Sequence, residues 1–183
     1  MINHLISIIL LSLLLSCSPN KNNEIDWMTW EAAENRTEKL DKKGFVWIYT
    51  DWCTESEEMM NTHLQHPEVV AYINEHFYSI LFDAEQKEPI QVKDKIWNFD
   101  DDGDNGYNEL ALVLTDLDPN NINKSLAYPK IVFLDEGLNK ITPIGGRLEL
   151  KELEAVLAFV ATDSFKKMRI EEFMLDFDYQ FGE

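Results

Sequence analysis

Phe45-Val46-Trp47-Ile48-Tyr49-Thr50-Asp51-Trp52-Cys53-Thr54-Glu55-Ser56 is the stretch on which the fold turns. Its first five residues form an unbroken aromatic and β-branched run bounded by turn signals, the pattern of a central strand covered on both faces. From Cys53 onward the chain reads as the start of a helix. A cysteine at such a junction lies where a helix N-terminus stabilises a thiolate. A two-thiol site needs a second cysteine three positions on, and that position is Ser56. The chain keeps one half of a redox pair and lacks the other.

The cysteine count sharpens this, because the only other cysteine is Cys17. It ends an apolar stretch, Leu5 to Ser16, too short for a comfortable membrane span and placed where a signal peptide has its hydrophobic region. Leu14-Leu15-Ser16-Cys17 resembles the lipobox of bacterial lipoproteins, in which the cysteine is lipidated and becomes the mature N-terminus. Met1 to His4 carries no Lys or Arg, which departs from the usual basic leader. The expected organisation is a signal peptide over 1–16, a lipidated tether over 17–26, a domain over 27–162, and an amphipathic helix over 163–183 packed on or near it. Export and processing would leave Cys53 as the only thiol, so it is either buried and inert or available to another molecule.

Composition bounds the partners. The formal net charge of −18 argues against nucleic acid and anionic lipid headgroups, and leaves basic clients as an option. A hydrophobic fraction of 45% is that of a folded domain rather than a disordered chain.

Around the opening stretch the coarse pattern is regular. Thr29 is placed to cap a helix running to about Lys42, with Gly44 ending it. A helix begins near Cys53, and another follows His66-Pro67, where proline is tolerated in a first turn. Phe77 to Ala84 reads as a strand, residues 89–97 as a hairpin around Lys93-Asp94, and Leu110 to Leu114 as a helix. Lys130 to Asp135 and Ile141 to Ile144 are two further strands, with a turn at Gly145-Gly146 and a helix from about Leu150 to Ala161.

This order resembles that of the thioredoxin-like family, and three local features carry the resemblance. Tyr49-Thr50-Asp51-Trp52-Cys53 is similar to the family's strand-to-helix entry. Ala127-Tyr128-Pro129 directly precedes a strand, as does the family's cis proline, which lies against the reactive cysteine. His66-Pro67-Glu68-Val69-Val70-Ala71-Tyr72-Ile73-Asn74-Glu75-His76-Phe77 looks like the second half of the active-site helix region in exported thioredoxin-like proteins of the Bacteroidetes type. With Asp83-Ala84-Glu85-Gln86-Lys87 the similarity spans about residues 27–180. The resemblance implies an α/β fold with a central mixed sheet flanked by helices, an inserted loop or hairpin region, and a C-terminal helix. It also implies that Cys53 is the reactive residue and that Trp52, Tyr128 and Pro129 shape a groove for an extended client peptide.

Departures from the family pattern are as informative. Ser56 stands at the resolving position, Glu57 follows it where a basic residue is usual, and Trp47 holds the position of a buried proton-relaying carboxylate. Asp51, Glu55, Glu57 and Glu58 crowd the helix entry with negative charge, which disfavours a thiolate. Cys53 and Ser56 together cannot carry out two-electron reduction, since a hydroxyl forms no disulfide. The expectation is therefore thiol–disulfide exchange through mixed disulfides with exported client proteins or peptides. The alternative is a peptide-binding module without redox chemistry. Placement on the outer membrane, facing the periplasm, is expected by analogy, Ser18 not matching the aspartate retention signal of some bacteria.

No cofactor and no metal are expected. Asn98 to Glu109 approaches calcium-loop spacing, with oxygen donors at positions one, three and five, glycine at six and glutamate at twelve. Asn98 replaces the expected aspartate and no clear helix precedes the loop, so a solvated acidic turn is preferred. His63 and His66 are two ligands at most, and Trp27 and Trp30 read as core and helix packing. Neither a glycine-rich phosphate loop nor a nucleophile elbow is present.

Overall fold

The computed structural model describes residues 23–37, 42–101, 103, 106–117 and 127–182. The expected signal peptide, Cys17, residues 18–22 of the tether, the end of the first helix, Asp102, Asp104 and Asn105 of the acidic loop, and residues 118–126 lie outside them.

The apolar run is the middle of the molecule. It forms β2 (Lys43–Tyr49), buried along all but its last residue. It pairs in parallel with β3 (Phe77–Asp83), matching Trp47 to Leu81, and antiparallel with β8 (Lys130–Leu134), matching Trp47 to Ile131. The short β1 (Trp27–Met28) extends the sheet beside β3, and β9 (Lys140–Gly145) closes the other side, giving the order β1-β3-β2-β8-β9.

Strand alternation divides the core. Phe45, Trp47, Phe77 and Phe133 face α2 (Thr54–Asn61), α3 (Pro67–His76) and α5 (Leu150–Ala161). Val46, Ile48, Phe82 and Leu134 face α1 (Trp30–Thr37) and α4 (Glu109–Leu114). The first face is built on aromatics, with Phe133 5.8 Å from Phe45 and 5.5 Å from Phe77 between ring centroids.

Local signals explain most boundaries. Thr29 Oγ1 accepts the Ala32 N–H, and Pro67 stands in the first turn of α3. The hairpin around Lys93-Asp94 is formed by β4 (Ile90–Val92) and β5 (Lys95–Trp97). Gly146, at φ +86°, makes the turn after β9.

Gly44 does not end the first helix. It sits inside β2 opposite Leu134, whose Cβ would lie 3.0 Å from any Cβ added there, so the glycine serves sheet packing. Trp27 and Trp30 share no helix face. Trp27 lies in β1 against Phe45, whereas Trp30 meets Phe82 edge-on across the other layer.

Either side of the acidic stretch the chain pairs antiparallel, β6 (Phe99–Asp100) against β7 (Tyr107–Asn108). Glu109 accepts the Asn98 N–H, and Asn108 caps α4 by accepting the Leu110 N–H. The glutamate at position twelve of the calcium-like spacing thus holds the backbone of position one.

The terminal segment departs from the single helix expected over 163–183. It consists of a 3-10 turn (Ser164–Lys166), a short α6 (Ile170–Leu175) and an extended tail. Burying Phe181 against Tyr72 is incompatible with a continuing helix, so the tail unwinds and its N–H groups take side-chain acceptors instead.

Candidate functional site

Cys53 is the N-cap of α2. Its backbone is extended at φ −82°, ψ 104°, and its sulfur accepts the Ser56 N–H at 3.4 Å. The Cys53 N–H is tied to the Thr50 carbonyl at 3.1 Å, so the end of β2 fixes where the helix begins. The sulfur therefore sits where the free N–H groups and the helix dipole favour negative charge. The residue is free and only 5% exposed.

Glu55 opposes this placement. The Cys53 thiol makes a long contact, 3.8 Å, to Glu55 Oε2. A carboxylate there repels the charge that spreads over the sulfurs during attack on a disulfide. Glu55→Gln is expected to raise the second-order rate of Cys53 with a small neutral disulfide about fivefold, from one unit charge at about 4 Å in a largely aqueous surrounding. Stopped-flow absorbance at fixed pH reads this, and an unchanged rate would show that the contact does not bear on reactivity.

The loops around Cys53 come from distant parts of the chain. Trp52 is 63% exposed, and its indole N–H donates to Glu85 Oε1 at 2.7 Å. Its ring stands edge-on to Tyr128, centroids 5.8 Å apart. The Tyr128–Pro129 peptide is cis, and the Pro129 carbonyl accepts the Gly146 N–H, joining this loop to the turn after β9. Ala84 donates to the Tyr49 carbonyl, which brings the loop bearing Glu85 beside the end of β2.

Burial, then the charges of Glu85, Asp83 and Cys53, pushes the Tyr128 hydroxyl above the ordinary phenol range. It is a neutral donor at any physiological pH. The Asp83 carboxyl is also raised, first by burial and then by Asp51, Glu85 and Glu88, against the lowering effect of its bond from the Glu85 N–H.

The two replaced positions are Ser56, in the first turn of α2, and Trp47, in β2. Ser56 is 2% exposed and Trp47 is fully buried, and neither the Ser56 hydroxyl nor the Trp47 indole N–H has a partner among the described residues. No carboxylate stands at the Trp47 position to move a proton to or from Ser56. The described residues contain no cluster of three or more metal-ligating side chains, and His63 bonds Thr62 while His66 faces Glu68.

The structure thus gathers Trp52, Cys53, Ser56, Tyr128 and Pro129 at one end of the sheet, while Cys17 lies outside the described residues. Three participants were not anticipated. Glu55 touches the sulfur, Glu85 holds Trp52, and Arg147 pairs with Glu58 at 2.6 Å. Glu55 was noted only as one charge among several. Arg147 directly follows the Gly145-Gly146 turn, but no local pattern indicates that this turn meets α2.

No family model matches the sequence, and no curated protein matches it. Solved structures do. A thioredoxin-fold protein from Helicobacter pylori aligns at 15% identity with a TM-score of 0.54, covering 85% of this chain and 88% of that one. An oxidoreductase named DsbH aligns at 20% identity and 0.50, over 85% and 94% of the two chains. A proposed disulphide-isomerase from Bacteroides thetaiotaomicron aligns at 19% and 0.50, over 76% and 93%. At such identities the likeness speaks to architecture alone. Together with the mixed five-stranded sheet and its flanking helices, it gives this chain a thioredoxin-like fold.

Proposed function

We propose that this protein is an exported, lipid-anchored thiol–disulfide exchange protein that works through Cys53 alone. The carrying observation is the sulfur at the N-cap of α2, bonded by the Ser56 N–H, in a site completed by Trp52, Tyr128 and the cis Pro129. The names of two structural neighbours, an oxidoreductase and a proposed disulphide-isomerase, support the same chemistry. The Cys53 sulfur attacks one sulfur of a client disulfide. A protein–client disulfide forms, the client S–S bond breaks, and the departing client sulfur takes up the proton that Cys53 gives up. Ser56 cannot resolve the product, so the departed client thiol, another client thiol or a small thiol must release it. Lipidation at Cys17, outside the described residues, would place this exchange at the cell envelope, on the outer membrane facing the periplasm.

The low exposure of Cys53 favours a second reading, a peptide-binding module that keeps the groove and not the reaction. Reaction of the folded mature protein with an aromatic disulfide reagent separates the two. The exchange reading expects one thiol modified within minutes without denaturant and none in Cys53→Ala. Modification that begins only across the unfolding transition would establish the binding module instead.

A further inference from the structure

Beside the head of α2, on the β3 side, lies a cleft of about 490 Å³ that the exchange step does not use. Tyr49, Met60 and Leu81 give it apolar walls, and Asp51 and Glu57, both exposed, carry its negative charge. Glu58, one position on, is neutralised by Arg147, but Asp51 and Glu57 have no ion-pair partner among the described residues. Thr50 and Ser56 also line the cleft. Each is 2% exposed, and each hydroxyl oxygen is without a hydrogen-bond partner among the described residues. Asp51 also helps to hold the Asp83 carboxyl above its usual range, a second sign of negative potential at this end of the sheet.

A cleft with apolar walls and two exposed carboxylates suits a long side chain with a positive tip. The methylene stem covers the walls while the charge stays at the wet, acidic end. Ser56 lines the cleft and also donates its N–H to the Cys53 sulfur, so an occupant lies within about one helical turn of the reacting atom. We infer that this cleft is a subsite for a lysine or arginine side chain of the client, next to the cysteine under attack. The inference rests on the exchange reading and names the client's class, a basic segment flanking a disulfide. The surface charge of −18 would steer such a segment toward the protein, but only the cleft can sense the length of its side chain.

The test uses short peptides whose single cysteine is capped as a pyridyl disulfide, followed by Lys, Gln, Glu or 2,3-diaminopropionate, the last cationic but short. Attack by Cys53 on the peptide sulfur forms the protein–peptide disulfide and expels pyridinethione, which absorbs. Rates are taken relative to a neutral disulfide with the same leaving group. At low salt the Lys peptide is expected to react at least tenfold faster than the Glu peptide and at least threefold faster than the diaminopropionate peptide. In Asp51→Asn/Glu57→Gln the Lys-to-Gln ratio is expected to fall to within twofold. Equal rates for Lys and diaminopropionate would reduce the effect to general charge steering and overturn the cleft, as would a Lys preference that survives in the double variant.

If no peptide reacts with the folded protein, the exchange reading fails. The cleft is then judged by the same peptides with Ser in place of Cys, titrated against tryptophan fluorescence. Tighter binding of Lys than of Gln supports it, and equal binding overturns it.

Discussion

Ser56→Cys is expected to convert a protein that cannot complete disulfide reduction into one that can. In the insulin-reduction assay with dithiothreitol, the wild type should stay near the uncatalysed rate and the variant should exceed it at least tenfold. A mixed disulfide on Cys53 would have no exit through Ser56, since a hydroxyl cannot attack sulfur to form an S–S bond. In the variant the thiol at position 56 attacks the Cys53 sulfur. The client leaves with both its thiols reduced, and the two protein cysteines are oxidised to a disulfide. The positions are suited to this. Residues three apart at a helix start have Cβ atoms about 5–6 Å apart, near the range that a disulfide closes with slight adjustment. The Ser56 N–H already meets the Cys53 sulfur.

The cost in stability should be small. Ser56 has a buried hydroxyl without a partner among the described residues, and replacing it with a thiol of similar size removes a polar group that gains nothing there. Trp47 and Glu57 remain in the variant, so its turnover is expected to lack acid–base assistance. A wild-type rate equal to that of the variant would show that the residue at position 56 does not limit turnover.

Glu154→Ala is expected to cause the largest loss of stability, about 3–5 kcal/mol. Glu154 lies on the buried face of α5 at 3% exposure. Its two oxygens accept the N–H groups of Gln180 at 2.6 Å and Phe181 at 3.0 Å, holding the extended tail in place. Bonds to a charged acceptor contribute about 1.5–3 kcal/mol each, and truncation would leave two backbone donors without an acceptor. At this chain length the midpoint should fall by about 10 °C. Glu154→Gln retains one acceptor oxygen and should lose less. Phe181→Ala acts on the same clamp, so the double variant should lose less than the sum of the singles. Urea unfolding at neutral pH checks all three, and a Glu154→Ala unfolding free energy within about 1 kcal/mol of wild type would show that the tail contributes little.

These two substitutions mark different depths at which the chain could be read. Ser56 was legible by position, because a strand-to-helix cysteine dictates where its partner must be. Glu154 was not. In sequence it is an ordinary charge on an amphipathic helix, and only the unwinding of the tail over α5 shows what it binds. The same holds for Glu85 on Trp52 and for Arg147 on Glu58, pairs 33 and 89 residues apart. Side-chain reach across such separations depends on how loops converge at the sheet end, which no local spacing encodes.

The fold was readable because its centre is a local signal. Phe45 to Tyr49 can be buried on both faces only as a middle strand, and β2 is that strand, between β3 and β8. The misread elements are those where tertiary contacts overrode local preference. Gly44 looked like a helix terminator but gives Leu134 room across the sheet. Trp27 is bound into β1 beside β3, two residues that no periodicity would name as a strand. The stripe over 163–180 suggested one helix, but burial of Phe181 and the Glu154 clamp favoured a short helix and an extended tail.

Sequence by itself determined the architecture, the cysteine at its strand-to-helix junction, and the serine three positions on, because each follows from the type and order of residues along a few turns of chain. Tertiary structure alone decided what surrounds that thiol: a carboxylate at the sulfur, a tryptophan braced by Glu85 and Tyr128, and an acidic cleft beside the head of α2 whose two carboxylates have no ion-pair partner among the described residues. The physical reason is that charge and shape at the site are summed over segments far apart in sequence, and that sum exists only once the sheet has brought them together.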